Sequence, residues 1–284
     1  MTEPLEISLT LDAENCQQKA SLLLAERSQL SQAKIKDAMQ KGAVWLIRGG
    51  DKKRLRRASK SLKAGDRLEL NYNPQLLEQS VAEPNLIDDA GDYSIWFKPY
   101  GLSCQGSRWG DFASINRWVE LNLAQLTNTP QRPAFLVHRL DRATSGLMLL
   151  AHSKKAAHLF SEMFRKGEMD KRYQAIVSGD FSVFPQNHPV SLPVNDKQAH
   201  SVFSLLEKNA QHSLLDVKLL TGRKHQIRQH LAALGYPIVG DRLYGQAQHQ
   251  TRDLQLQSVS LRFSCPLQHK LMTYQVADHL KLRL

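Results

Sequence analysis

The order of its short apolar segments constrains this chain more than any other feature. Runs of strand length and composition fall at 93–99, 147–151, 169–179, 201–206, 214–220, 256–263 and 271–276. Two helical patterns interrupt them. Over 154–166 the residues Ala157, Phe160, Met163 and Phe164 share one face before Gly167, and 225–234 runs to Gly235 as its C-cap. A parallel sheet needs a crossover between successive strands, and this pattern does not supply one each time. Strands that outnumber helices without regular alternation predict an α+β architecture with a mostly antiparallel sheet.

Upstream, a smaller module is expected within residues 1–80, separated by a proline-bounded linker from a larger domain over 85–284. Helical spacing over 17–30 and 31–41, with Ser31 as a cap, is followed by strands at 43–47 and 67–72. Between those strands lies Lys52-Lys53-Arg54-Leu55-Arg56-Arg57-Ala58-Ser59-Lys60, basic and without an acid. Such runs are most often solvated loops. In a chain with a formal net charge of +11 this one is read as a phosphate-contacting surface, through Lys52, Lys53, Arg54, Arg56 and Arg57.

The same charge points to a polyanionic partner, nucleic acid before an anionic membrane. No apolar stretch has the length of a membrane span, and Met1-Thr2-Glu3-Pro4-Leu5-Glu6 lacks the order of a signal peptide, so a cytoplasmic protein is expected. Cys16, Cys104 and Cys265 have neither disulfide-framework nor zinc spacing, and no metal is expected. A monomer is expected.

The densest chemistry lies in His138-Arg139-Leu140-Asp141-Arg142-Ala143-Thr144-Ser145-Gly146-Leu147. Asp141 stands between two arginines on a loop that feeds the apolar run 147–151, and a rigid core strand is a good mount for a reacting group. Opposite charge nearby favours an ionised carboxylate, which suits a nucleophile or electrostatic partner better than a proton donor. On these residues alone, a structural ion pair pinning the loop is an equal reading.

The run from His138 to Ala151 resembles the signature of the RluA-type pseudouridine synthases, which isomerise uridine in RNA. Gly222-Arg223-Lys224-His225-Gln226-Ile227-Arg228 resembles that family's Gly-Arg-x-His-Gln-Ile-Arg signature, and Lys98-Pro99-Tyr100-Gly101-Leu102 its Lys-Pro-x-Gly-Leu turn. After that turn Ser103-Cys104-Gln105-Gly106 stands where the family usually has a histidine. The resemblance implies a mixed sheet, Asp141 as the catalytic residue, Arg223 as the arginine paired with it, and Tyr173 as the ring against the target base. It implies Arg139 as the side chain that fills the space left by an extruded base, while His138 and Arg142 support the loop and contact phosphate. Ile227 is read equally as an apolar wall of the uracil pocket or as core. Because the isomerisation involves no redox change, no cofactor is expected.

The helix-helix-strand-basic loop-strand order of the first module resembles the small RNA-binding domain named after a ribosomal small-subunit protein. That favours ribosomal RNA over transfer RNA as the partner, by analogy. Two alternatives stay open: an RNA-binding protein with a degenerate synthase fold, and a nucleoside or glycoside hydrolase that would release free uracil.

Overall fold

A computed structural model describes residues 3–245 and 252–284. The chain forms two compact units, one of Met1–Val81 with Gln105–Trp118, the other of Ala82–Cys104 with Val119–Leu284.

In the first unit the strands β1 (Leu5–Thr10), β2 (Val44–Arg48), β3 (Asp51–Arg54) and β4 (Arg67–Tyr72) form an antiparallel sheet in the order β1-β4-β2-β3. The helices α1 (Ala20–Ser28) and α2 (Gln32–Gln40) lie in the chain between β1 and β2. Leu23, Leu24, Ile35 and Met39 bury their apolar faces in the unit's core. Ser31 caps α2, its Oγ accepting from the Lys34 N–H at 3.3 Å. The basic run departs from the loop expected of it. Its first residues are strand β3, because Gly49 and Gly50 take φ +57° and +88° and close a two-residue hairpin from Arg48 to Asp51. Strand β1 escaped the sequence reading, although Leu5, Ile7 and Leu9 alternate as a half-buried edge does. A single helical turn, α3 (Pro74–Leu77), stands in the expected linker, capped by Asn73.

The second unit is built on a ten-stranded sheet. Its elements in chain order are β5 (Asn85–Asp89), β6 (Tyr93–Lys98), α4 (Ile115–Thr127), β7 (Phe135–Leu136), β8 (Ser145–Ala151), α5 (Lys154–Lys166) and β9 (Asp170–Ser178), α4 beginning within the first unit's residues. There follow β10 (His188–Val190), β11 (Ser201–Lys208), β12 (His212–Leu219), α6 (Gln226–Ala233), β13 (Leu256–Ser264) and β14 (Leu271–Gln275). The order is β10-β11-β12-β9-β13-β8-β6-β5, with β7 on β8 and β14 on β13. Every pairing is antiparallel except β13 with β8, so the sheet is mixed and the class α+β. Helix α5 buries Ala156, Phe160 and Met163 in a core with Tyr93, Leu147, Leu149 and Phe263.

The parallel pair fixes the middle of the sheet. Gly146 has φ +111°, and a β-carbon there would overlap the backbone of Ser258, so only glycine lets the two strands approach so closely. The chain entering at Gly146 is the loop that carries Asp141. Strand β9, beside β13, carries Tyr173, and α6 follows β12.

Candidate active site

Short bonds hold the Asp141 loop by its backbone. The buried ammonium of Lys98 donates to the carbonyl oxygens of Pro99 (3.0 Å), Leu102 (2.9 Å) and Arg142 (3.3 Å). The Gly101 N–H donates to the Arg142 carbonyl at 2.9 Å, and Arg142 Nε returns a bond to the Gly101 carbonyl at 3.0 Å. One residue before Asp141, the Leu140 N–H donates to Cys104 Sγ (3.2 Å) while that thiol donates to the Leu140 carbonyl (3.0 Å). The Thr144 N–H closes the turn onto the Asp141 carbonyl at 3.0 Å. Burial pushes the Lys98 ammonium down to about 8, partly opposed by the Cys104 thiol and Asp141.

Against this fixed backbone the Asp141 carboxylate is only loosely engaged. Its Oδ1 lies 3.6 Å from His225 Nε2 and its Oδ2 lies 3.6 Å from Arg228 Nη1, close enough for charge interaction and too long for hydrogen bonds. Arg228 is itself locked: Nε and Nη2 donate to the two oxygens of the buried Asp241 at 2.7 and 2.6 Å. Asp241 also accepts from the Leu243 and Tyr244 N–H groups at 2.9 and 3.1 Å. His225 stands just before α6 with φ +58°, and its Nδ1 lies 3.0 Å from the Tyr244 hydroxyl. Burial lowers its pKa below the ordinary range, although Asp141 pulls the other way, so the ring is neutral at pH 7.

A cleft is lined by Asp141, Arg139, Tyr173, Leu219, Arg223, Ile227 and Arg228 among others. Tyr173 is buried on β9, and burial followed by the nearby Asp141 raises its pKa, which keeps the phenol protonated. Ile227 is buried and also lines the same cleft, a position compatible with either of its two readings. A cleft that sets the Tyr173 ring and the Ile227 side chain beside an open carboxylate can take a flat base with the sugar's anomeric region facing the acid.

Three sequence expectations need correction. The guanidinium facing Asp141 is that of Arg228; Arg223 lines the cleft but its Nε donates to the Gln198 carbonyl at 3.1 Å. Arg223 precedes the helix, which begins at Gln226, so helical phase never places it, whereas Arg228 lies in the first turn with its dipole cost offset by two carboxylates. His138 is not a phosphate contact. Its Nε2 accepts from the Leu149 N–H of β8 at 2.9 Å, its ring stacks on Phe164 at 4.2 Å, and desolvation pushes it down to about 3. In the basic run, Arg54 bonds to the Gly42 carbonyl, to the Ser107 carbonyl (2.9 Å) and to Asp111 (3.0 Å), and Arg56 bonds to the Gln40 carbonyl (2.9 Å) and to Asp111. Lys52 pairs with Glu69 at 2.5 Å and Lys53 with Asp51 at 3.1 Å. Arg57 alone of the five has no partner among the described residues, and it lines a cleft with Lys19 and Lys36.

Arg139 and Arg142 are exposed beside Asp141. The sequence reading missed His225, Arg228 and Asp241. The second arginine of the matched motif was a usable signal for Arg228. None in local sequence announces Asp241 as its partner.

Comparisons with known proteins give the family and the fold. The sequence model of a family described as RNA pseudouridylate synthase matches residues 92–233. An uncharacterised RNA pseudouridine synthase of Chloroflexus aurantiacus is 33% identical over 238 residues, 76% of this chain and 71% of that one. Another, of Mycoplasma pneumoniae, is 28% identical over 91% of this chain and 88% of its own length. The ribosomal large subunit pseudouridine synthase D of Xylella fastidiosa is 38% identical over 123 residues, 39% of this chain and 37% of that relative. Among solved structures, human RNA pseudouridylate synthase domain containing 4 superposes with TM-score 0.56 at 22% identity, over 68% of this chain and 88% of that one, which speaks for the fold.

Proposed function

The chain belongs to the RNA pseudouridylate synthase family and is an isomerase of RNA uridine; from that premise we propose that Asp141 performs the chemistry and that ribosomal RNA is the substrate. The observation that carries the first part is a carboxylate held rigidly by its backbone, yet with one oxygen 3.6 Å from the His225 ring and the other 3.6 Å from the Arg228 guanidinium. Such an oxygen keeps a lone pair for the anomeric carbon or for the proton beside it, and either course frees the base. The bond from uracil nitrogen to the anomeric carbon breaks, the base turns, and its carbon five forms the new bond, displacing Asp141 where it had bonded to the anomeric carbon; carbon five gives up its proton and the freed nitrogen takes one up. The composition of the RNA is unchanged.

Arg228, clamped by Asp241, would steady the carboxylate's charge, and Tyr173 with Ile227 would hold the ring flat as it turns. Arg139, exposed at the cleft, would occupy the space the base leaves in its stack, offsetting part of an extrusion cost of a few kcal/mol. Arg142, together with Lys19, Lys36 and Arg57, which have no side-chain partner among the described residues, would meet phosphates. Ribosomal RNA is favoured by the printed name of the Xylella fastidiosa relative and by the helix-helix-strand order of the first unit.

The test is to incubate the purified protein with ribosomal and transfer RNA from cells lacking the gene, then map pseudouridine by carbodiimide labelling. Pseudouridine at discrete ribosomal positions, without free uracil, is expected. Modification of transfer RNA alone would overturn the substrate assignment.

A further inference from the structure

A second cleft, of about 250 Å³, opens on the other side of Asp141, His225 and Arg228. Its outer wall is Tyr100, Arg142, Arg242, Leu243 and Leu254. We propose that this cleft holds the base of a nucleotide next to the target uridine, with its phosphate between Arg142 and Arg242. The inference rests on the functional reading above and adds a subsite for the base beside the target.

Four of these side chains are unspent by the fold. Leu243 is 66% exposed, although the turn carrying it is rigid: Asp241 accepts its N–H and that of Tyr244. Gly240, with φ +78°, passes so close to the backbone of Asp253 that a β-carbon would overlap it, which fixes the turn at its start. Leu243 thus adds an aliphatic surface at a fixed place beside Tyr100 and the two arginines. Arg242 is exposed with no partner among the described residues, and Arg142 uses only Nε internally, leaving its terminal nitrogens. Tyr100, on the turn that Lys98 holds, has no ring or hydrogen-bond partner among the described residues. Among the described residues of the lining, the only carboxylate is Asp141 itself.

Together these supply a flat aromatic and an aliphatic surface for a base, and two guanidinium groups for a phosphate. Because Asp141 borders both clefts, a ligand here is covalently continuous with one in the Tyr173 cleft only if it is the adjoining nucleotide.

The experiment uses a stem-loop RNA around a uridine that the wild-type enzyme modifies, with the 5′ or the 3′ neighbour made abasic in turn. For wild type, one of the two abasic RNAs should lose about tenfold in kcat/KM, mainly through KM. The double variant Tyr100→Ala, Leu243→Ala should lose about tenfold on intact RNA and nothing further on that abasic RNA, because the pair of changes removes one shared contact. Equal abasic losses in wild type and variant, or indifference of wild type to both neighbours, would overturn the subsite. Failure of wild type to modify any RNA would instead overturn the functional reading on which it rests.

Discussion

The basic hairpin of the first unit and the arginine-flanked loop of the second are similar in composition and differ in what meets their charges. In the hairpin, Lys52, Lys53, Arg54 and Arg56 turn onto Glu69, Asp51 and Asp111, and Arg54 also lies over the Trp45 ring at 4.1 Å. Around Asp141 the bonds are spent on backbone, and the carboxylate stands 3.6 Å from both His225 and Arg228. A charge bound to a near neighbour stabilises locally, and one left open is available to a substrate. The comparison teaches that a basic stretch becomes a binding surface only where the fold brings no acid to it.

The largest expected effect separates Arg228 from Arg223. Arg228→Met leaves the buried Asp241 uncompensated and should cost about 3–5 kcal/mol in urea unfolding, with turnover falling at least about a hundredfold. Arg223→Met removes one bond to a backbone carbonyl and should cost about 1 kcal/mol. Equal losses would erase the distinction between a clamped and an open arginine.

Lys98 gives a pH test in which activity and stability move in opposite directions. Its folded value is about 8 and its ordinary value 10.5. Between the two the unfolded state holds more protons, so this group makes stability rise with pH across that window. The neutral amine holds the loop less well, so turnover should decline above pH 8 by up to about tenfold per pH unit. Activity and denaturation followed over pH 7–10 check this; a fall caused by unfolding would contradict it.

His138 bears on acid stability. It stays neutral when folded down to about 3, and its ordinary value is 6.5. The unfolded chain therefore binds the extra proton in that window, and stability falls as pH drops through it while remaining unaffected above it. His138→Gln, which keeps an acceptor for the Leu149 N–H, should flatten the acid slope. An unchanged slope would mean that the ring is not desolvated.

The smallest effect returns to the hairpin. Lys19, Lys36 and Arg57 to alanine should lower the slope of log affinity against log salt by about 2 for single-stranded RNA, and Lys52, Lys53 and Arg54 to alanine by about 1 or less. The reverse ranking would place the phosphates on the hairpin.

Much of this was legible because some elements are local. Ser153 and Gly167 bracket α5 as cap and left-handed stop, and the alternating β4 and apolar β8 announce themselves. Asp141 was legible from its motif. What pairs with it was not, because pairing depends on phase and on distant chain. Arg223 and Arg228 both sit in a basic stretch, and only the start of α6 at Gln226 decides which one turns inward. Asp111 is 55 residues from Arg56, one of the two arginines it binds, and Cys104 is 36 from Leu140. No local pattern encodes either contact.

The most direct measurement is single-turnover conversion of a modified-site RNA by Asp141→Asn, beside its RNA affinity and unfolding midpoint. The account predicts binding within about threefold of wild type, an unchanged fold, and no pseudouridine in the time wild type completes its turnover. Conversion within about a hundredfold of the wild-type rate would contradict it, because the chemistry would then belong to another group.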